Sequence, residues 1–560
     1  MCTILFLLCL GCVAANNNGQ NRVSQNASGP ITTSPSGTFQ GSWMTTRRGR
    51  QFQAYRGIKY AEPPVGELRF QPPKPILYYE GRVDATNDGP ACPQPAPEGY
   101  PVSEDCLTIN VYTPGQNSTE PLPVIVFIHA GGFYSMSGRS DLAGPHYLLD
   151  KNVVLVTFNY RIGSLGFLAL GTDYAPGNNG FKDQVAALRW VQRNIAAFGG
   201  DPNLVTITGC SAGSLSVMLH MISPMSKGLF HRGISMSGSP VSKVPSPPHR
   251  MDLAIKQARI VNCPTNDTRL LYDCLKTKTW KELAGSLLGF FEFGFDPLSL
   301  WRPVIEPDFG QERFLPIEPL DAIRDGKMNA VPFMVSMTKD EFFWKAFTIL
   351  RNQTLLETMD REWDRIAPIS FILPRENSTA SVRRLRSAYL SDKRLTNDTY
   401  TADRLGKLYG DSITAFPVHR MVNLMCRHSP VAVFYSEFSY LGNHSHYEDR
   451  VTKKPTRVAH HDDLIYLFTL SYRFPTIEVS GSKDSKMVDK MTTLWANFAK
   501  TGNPKSDTIS PELSENGHFT WPVMTPNRRA YLRVENEFSV HEKLFEDRFQ
   551  VWEELYPIQY

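Results

Sequence analysis

A serine held between two glycines marks the part of the chain best suited to nucleophilic chemistry. Ser211 lies in the stretch 209–213 (GCSAG), directly after the β-branched run of residues 204–208. Residues 215–221 are mostly apolar and continue as a buried helix. A strand, a tight turn with serine at its apex and a helix make up a nucleophile elbow. The same spacing also arises by chance, so its interpretation depends on partners elsewhere in the chain.

A serine that transfers an acyl group needs oxyanion donors, a base, and an acid that orients the base. Gly131 and Gly132 follow an apolar run, where their backbone N–H groups can face an open site without side chains in the way. Together with the N–H of Ala212, they are predicted to form an oxyanion hole. An ordinary glycine turn after a strand is the alternative, and the nearby elbow disfavours it.

Alternating strands and helices are expected to position these groups. Strands are predicted over residues 122–129, 153–160, 204–208, 233–236, 331–336 and 432–438, and helices over 183–198 and 487–500. This alternation predicts an α/β fold in which a large, mostly parallel central sheet carries helices on both faces.

The N-terminal residues predict passage through the secretory pathway. Residues 1–15 are apolar and end in small residues before a polar run, the pattern of a signal peptide too short to span a membrane. A buried strand or helix is the alternative for this segment. Residues 16–37, rich in Asn, Gln, Ser, Gly and Thr, predict a flexible lead-in, and residues 38–560 predict a single domain.

The cysteines and glycosylation sequons agree with that prediction. Six cysteines would remain after removal of residues 1–15, as is typical of an oxidising compartment. Two pairs could close short loops, Cys92 with Cys106 and Cys263 with Cys274, leaving Cys210 and Cys426 as thiols. The acceptor sequons are Asn26, Asn117, Asn266, Asn352, Asn377, Asn397 and Asn443. We therefore expect a secreted, extracellular glycoprotein without a membrane anchor.

Composition narrows the functional classes. The 59 basic and 55 acidic residues nearly balance to a net charge of +4, so no nucleic-acid partner is expected. The 13 histidines are scattered without the spacing of zinc ligands, so neither a metal nor another cofactor is expected.

The longer motifs resemble type-B carboxylesterases of the cholinesterase family, in the α/β-hydrolase superfamily, and are closest in style to secreted insect esterases. The likeness begins near Thr38 and rests on residues 55–66, 103–107, 129–133, 180–202, 209–213, 230–239 and 495–504. This resemblance implies a serine esterase that hydrolyses small-molecule carboxylic esters through a Ser-His-Glu triad.

The resemblance also implies which residue is the triad acid. The family has an Asp-Glu-Gly stretch after a strand, and residues 339–342 (KDEF) occupy that place, with Phe342 in place of the glycine. Glu341 is the acid that this alignment selects. The residues alone do not distinguish Asp340 from Glu341 as the acid, and either could instead be a solvated residue at the end of a loop.

The base is implied in the same way. The family's His-x-Asp-Asp-Leu stretch matches residues 460–464, which selects His460. His461 stands where the family usually has a small residue, and it is the runner-up. The chain order of Ser211, Glu341 and His460 is that of the superfamily.

Departures from the family narrow the prediction further. Cys210 replaces a glutamate that commonly precedes the serine, and Ala130 replaces the first glycine of the oxyanion run. The chain also has no match to the tryptophan that binds choline in cholinesterases after their first cysteine, so a true acetylcholinesterase is disfavoured. The two cysteine pairs fall where the family places its first two disulfides, although the first loop is shorter than usual.

Two other functions are compatible with the resemblance, a catalytically silent relative used for adhesion or binding, and a lipase. Since every catalytic position is filled, the esterase is favoured.

Overall fold

The computed structural model describes residues 29–115, 120–449, 452–505 and 520–560. Over these residues the chain forms one sheet of 11 strands and a smaller sheet of three. The predicted signal peptide, most of the predicted lead-in, Asn26 and Asn117 lie outside the described residues.

The large sheet contains the strands that lead to the candidate site. Its members are β3 (Ser42–Thr45), β4 (Gln51–Lys59), β6 (Thr108–Thr113), β7 (Leu122–Ile128), β8 (Val154–Phe158), β9 (Gly200–Cys210), β10 (Arg232–Met236), β11 (Phe333–Thr338), β12 (Val433–Phe438), β13 (Ala530–Val534) and β14 (Ser539–Glu542). The small sheet consists of β1 (Ile31–Ser34), β2 (Gly37–Gln40) and β5 (Arg82–Asp84).

Strand order in the large sheet is β14-β13-β12-β11-β10-β9-β7-β8-β6-β4-β3. The seven strands from β13 to β8 in this order pair in parallel, and antiparallel strands flank them on both sides. The predicted large, mostly parallel sheet is therefore confirmed.

The central strands are apolar because both of their faces are covered. Every residue of β7 is buried, and successive side chains enter different cores. Val124 and Val126 belong to the core on one face, whereas Ile125 and Phe127 belong to the core on the other.

The helices that connect the strands cover these two faces. They are α1 (Gly163–Phe167), α2 (Asn179–Asn194), α3 (Ala212–Ile222), α4 (Met251–Ile260), α5 (Thr268–Thr277), α6 (Trp280–Gly285), α7 (Pro319–Arg324), α8 (Trp344–Leu350), α9 (Gln353–Arg361), α10 (Trp363–Ser370), α11 (Thr379–Leu390), α12 (Thr399–Gly410), α13 (Phe416–His428), α14 (Lys483–Thr501) and α15 (Glu546–Leu555). The apolar sides of α2 and α3 join one core and that of α14 joins the other. A π-helical turn, Asp411–Ala415, connects α12 to α13.

The folded chain begins earlier than predicted. Residues 31–34 form β1 rather than the end of a flexible lead-in, and β1 pairs with β2 in an antiparallel hairpin. Its polar side chains are anchored to the domain, Thr32 Oγ1 to Tyr55 Oη at 2.6 Å and Ser34 Oγ to Asn194 Oδ1 at 2.8 Å. The polar composition that suggested disorder therefore serves inward hydrogen bonds.

The structure contains both disulfides implied by the resemblance, Cys92–Cys106 and Cys263–Cys274. Cys210 and Cys426 are free thiols, the first fully buried. The five sequons within the described ranges, Asn266, Asn352, Asn377, Asn397 and Asn443, are all exposed. None of the helices in the described ranges is both long enough and apolar enough to cross a bilayer.

Candidate active site

The candidate catalytic residues follow the carboxyl ends of neighbouring parallel strands. Gly131 and Gly132 come after β7, Ser211 directly follows β9, and Glu341 lies three residues beyond β11. His460 is on the long connection that leaves β12 and forms a parallel bridge between Asp340 and Ala459. Because these strands run in the same direction, the four segments meet at one edge of the sheet, where open α/β sheets bind ligands.

Ser211 occupies the apex of a strained turn. Its backbone has φ 56° and ψ −116°, and its N–H donates to the carbonyl of Met236 at 2.8 Å. A Cβ at position 213 would lie 2.0 Å from the carbonyl oxygen of Ile128, so only glycine lets α3 start this close to β7. Gly238 also packs closely against the backbone of Ser211, because a Cβ added at position 238 would lie 2.4 Å from the Ser211 carbonyl oxygen. The GCSAG motif does not reveal this contact.

The predicted oxyanion donors are free to bind a ligand. The Gly131 carbonyl accepts hydrogen bonds from the N–H groups of Tyr134 and Ser135, both at 2.9 Å, in a turn where Gly131 has φ 105°. Among the described residues, no acceptor takes a hydrogen bond from the N–H groups of Gly131, Gly132 or Ala212. Alanine can replace the family's first glycine at position 130, because Ala130 is buried and its φ is not positive.

Glu341 and His460 form a buried hydrogen-bonded pair. His460 Nδ1 donates to Glu341 Oε2, and the other carboxylate oxygen accepts the N–H of Thr338 at 2.9 Å. His460 Nε2 is buried and has no hydrogen-bond partner among the described residues. This arrangement fixes the tautomer in which Nε2 carries a lone pair, as a general base requires.

Asp340 has a different role from Glu341. Its N–H donates to the Val458 carbonyl at 3.0 Å, and its carboxylate accepts the Val458 N–H at 3.2 Å. Arg457 lies 3.7 Å from the same carboxylate. Asp340 therefore ties the histidine loop to the end of β11, whereas Glu341 is the one of the two that hydrogen-bonds the imidazole.

His461 lies beside His460 but does not hydrogen-bond Glu341. Its backbone lies in the left-handed region at φ 79°, a conformation that favours glycine and therefore agrees with the small residue usual at this position. Its ring packs 4.0 Å from that of His460. Burial and the neighbouring positive charges lower the pKa of His461 well below its ordinary value, which keeps the ring neutral.

Phe342 explains how the chain tolerates the loss of the family's glycine. It adopts φ 50°, so the left-handed turn persists with a bulky side chain. Its ring centroid is 4.0 Å from that of His460, and it lines the same pocket as Ser211. Phe342 therefore forms an apolar wall between the base and the pocket.

Two carboxylates of the histidine loop were not assigned roles from the sequence. Asp462 accepts hydrogen bonds from Ala459 N at 2.7 Å, Ser445 Oγ at 2.6 Å and His446 N at 2.7 Å, and so fixes the loop. Asp463 is fully buried, with no hydrogen bond to either carboxylate oxygen among the described residues. Burial, Glu341 and Asp462 raise the pKa of Asp463 to about 8.

The thiol of Cys210, next to the candidate nucleophile, has low reactivity. Burial, together with the charges of Asp463 and Glu341, raises the pKa of Cys210 well above its ordinary value. The neutral thiol is a weak nucleophile, so it acts as a small apolar side chain in the core.

A pocket opens in front of Ser211. It has a volume of about 120 Å³, and its walls come from parts of the segments 237–247, 298–303 and 412–417 together with Gly132, Ala212 and Phe342. In the described part of the chain, no group of three or more His, Cys, Asp or Glu side chains could hold a metal ion. The arrangement can perform acyl transfer with side chains and backbone alone.

Comparison with known proteins places the chain in a family. Residues 28–552 match the Carboxylesterase family. Juvenile hormone esterase of Tribolium castaneum is 35% identical over 85% of this chain and 84% of its own length. Esterase FE4 of Myzus persicae is 35% identical over 85% of each chain, and Venom carboxylesterase-6 of Apis mellifera is 33% identical over 90% of each.

Solved structures agree with these relatives. The crystal structure of juvenile hormone esterase from Manduca sexta, with OTFP covalently attached, superposes with a TM-score of 0.81. The match has 27% sequence identity and covers 94% of this chain and 99% of that one. The family indicated by the motifs is thereby confirmed: the chain belongs to the carboxylesterase family, whose members are carboxylic ester hydrolases of the α/β-hydrolase fold.

Proposed function

We propose that this protein hydrolyses small-molecule carboxylic esters through an acyl-enzyme on Ser211, with His460 as base and Glu341 as the acid that orients it. One observation carries the proposal. The buried Glu341–His460 pair and the strained Ser211 lie at the same edge of the parallel sheet, with Nε2 of His460 left open as an acceptor. Acyl transfer by a serine requires these three roles, and the order serine, acid, histidine along the chain is that of the α/β-hydrolases.

In the first step, Ser211 Oγ attacks the ester carbonyl carbon while His460 Nε2 takes the hydroxyl proton. The carbonyl π electrons move to oxygen, and the N–H groups of Gly131, Gly132 and Ala212 stabilise the resulting oxyanion. Glu341 accepts the Nδ1–H hydrogen bond and stabilises the imidazolium formed in this step.

The intermediate then breaks down. The electrons on oxygen re-form the carbonyl, the bond to the alcohol oxygen breaks, and His460 gives its proton to the departing alcohol. A water molecule attacks the acyl-enzyme with His460 again as base, which releases the carboxylic acid and restores Ser211. No redox step or cofactor is needed.

Replacing the nucleophile tests the proposal directly. Ser211→Ala is expected to lower kcat for a simple aryl ester by on the order of 10⁴-fold or more. An organophosphate should label the wild-type protein at Ser211, as peptide mass spectrometry would show. Ser237→Ala is a matched control, because this serine lines the same pocket without following β9. Substantial activity in Ser211→Ala, or labelling at another residue, would reject the assignment.

We further propose that the protein is secreted and glycosylated. This proposal is supported by the apolar segment 1–15, the two disulfides and the five exposed sequons within the described ranges. Expression in insect cells should deliver the protein to the medium with a mass that falls after enzymatic removal of N-glycans. Retention of the full-length chain inside the cell with an unmodified mass would contradict this.

A further inference from the structure

The ionisable residues that line the pocket of Ser211 are all basic. Of the described lining residues, only Lys243 and Arg302 have an acidic or basic side chain, and none has a carboxylate. Lys243 is on the loop that follows β10, and Arg302 is on the segment between α6 and α7. Both residues therefore border the space that a substrate enters to reach Ser211.

The position of Lys243 is set by the π-helical turn. Its Nζ donates to the backbone carbonyl of Ser412 and, at 2.9 Å, to the Ser412 hydroxyl. That carbonyl is available because the residue five positions on is Pro417, which has no N–H to donate. The Nζ also lies 4.9 Å from the ring centroid of Trp552. These contacts occupy two of the three ammonium protons and supply no negative charge.

Arg302 has even fewer partners. Its Nε donates to Ser299 Oγ at 3.0 Å, and among the described residues its two terminal nitrogens have neither a hydrogen bond nor an ion pair. Burial lowers the pKa of Arg302 to about 10, which still leaves the guanidinium charged at neutral pH. A planar guanidinium whose two terminal nitrogens are both free to donate is shaped to bind a carboxylate.

The carboxylates around the pocket face other partners. Glu318 accepts the N–H of Ser246 at 2.9 Å from behind the pocket loop. Asp411 is bound by the Arg548 guanidinium at 2.6 Å and by the Tyr389 hydroxyl at 2.6 Å. Burial and the charges of Arg302 and Arg420 lower the pKa of Lys243 well below its ordinary value, and the charge of Asp411 only partly opposes them. Since none of the described lining residues is a carboxylate, an anionic substrate would supply the counter-charge and favour the protonated ammonium.

We propose that the preferred substrates of this site are esters that also carry a carboxylate, which Arg302 and Lys243 bind while Ser211 attacks the ester carbonyl. The proposal rests on the proposed function of Ser211 and adds the class of substrate. Cys210 is consistent with it, because a glutamate at that position would put a negative charge beside the nucleophile and repel an anion. A cationic substrate would be repelled by the same basic residues.

Matched pairs of aryl esters test this preference. One pair is the 4-nitrophenyl monoester of adipic acid and the corresponding ester of adipamic acid, in which a neutral amide replaces the carboxylate. The second pair, the acetyl esters of 4-hydroxybenzoic acid and 4-hydroxybenzamide, places the charge on the alcohol side. We expect kcat/KM to favour the charged member by about tenfold in at least one pair.

Variants then assign the preference to these residues. Arg302→Met and Lys243→Met should each reduce the charged-to-neutral ratio of kcat/KM several-fold, through KM rather than kcat. Lys227→Met is the matched control, because it removes the same charge from an exposed site beyond the far end of α3. If Lys243→Met does not fold, inhibition of the Arg302→Met variant by adipate provides the second measurement, and its inhibition constant should rise about tenfold.

The outcomes separate the two proposals. Hydrolysis of both members of each pair without preference for the charged one would overturn the substrate class and leave Ser211 as nucleophile. A preference that survives in both variants would also overturn it. Loss of all hydrolysis in Ser211→Ala, together with a charge preference that Arg302→Met removes, is the expected result.

Discussion

At the scale of single residues, the two adjacent histidines show how little local sequence says about a catalytic role. His460 donates Nδ1–H to Glu341, whereas His461 takes a left-handed backbone conformation and only packs against its neighbour. The hydrogen bond to Glu341 spans 119 positions in the chain. No periodicity within a few residues of either histidine could have revealed it.

Exchange of each histidine is the first test at this scale. His460→Ala should lower kcat/KM as severely as Ser211→Ala, because both remove a group that acts in the same transition state. His461→Ala should cost less than about tenfold, since its ring is neutral and makes no contact with the carboxylate. Activities on one aryl ester check both. Equal losses in the two variants would contradict the assignment.

The two candidate acids give the second test. Glu341→Gln should reduce kcat by about 10²-fold to 10⁴-fold while KM stays near that of the wild type, because the amide no longer stabilises the imidazolium. Asp340→Asn keeps the length of the side chain and removes only its charge. Its effect should be on thermal stability, since Asp340 ties the histidine loop to β11. If Asp340→Asn instead lowered kcat and Glu341→Gln changed only thermal stability, Asp340 would be the acid.

Sequence could single out the candidate nucleophile and the candidate oxyanion donors because their backbone requirements are local. Gly213 and Gly131 are needed where the backbone passes within van der Waals distance of its own neighbours or turns left-handed. It could not separate Asp340 from Glu341, because the distinction is which carboxylate faces the imidazole. Lys243 and Arg302 were equally hidden, since their place in the pocket depends on how separate loops pack.

At the scale of elements, the short disulfide loop supports the oxyanion turn. Gln94, between Cys92 and Cys106, accepts the N–H of Met136 at 2.7 Å and donates to the carbonyl of the same residue at 2.9 Å. These bonds hold the end of the turn that begins at Gly131. The loop therefore controls the geometry of donors that it does not contain.

Removal of that support should be visible in the kinetics. Gln94→Met is expected to lower kcat by about tenfold with little change in KM, because misplaced donors stabilise the oxyanion less and the ester ground state hardly at all. Gln192→Met is the matched control. Its amide also bonds to two backbone carbonyls, those of Pro202 and Leu229, away from Ser211. A loss of the same size in both variants would indicate general destabilisation.

At the scale of the whole molecule, Asp463 links folding to pH. Its pKa is raised from 3.8 to about 8 in the folded protein, so the fold binds a proton that the unfolded chain releases at lower pH. The contribution to the free energy of unfolding is therefore full below about pH 4 and is lost as pH rises toward about pH 8.

Asp463→Asn tests the link. The variant should be more stable than the wild type at about pH 8, and its advantage should shrink by more than about 1 kcal/mol on acidification to about pH 5. Urea unfolding monitored by tryptophan fluorescence at both values measures the difference. A constant difference across the range would show that Asp463 ionises normally.

The π-helical turn Asp411–Ala415 makes the pocket sensitive to chain length. A π turn holds one residue more than an α-helical turn, so deletion of one residue here would restore a regular helix. Every residue before the deletion would then rotate by about 100° relative to α13. Ser412 would leave its place opposite Lys243, and the ammonium would lose its anchor. Insertions and deletions in this turn are thus a means of retuning which esters enter, with the nucleophile and its base unchanged.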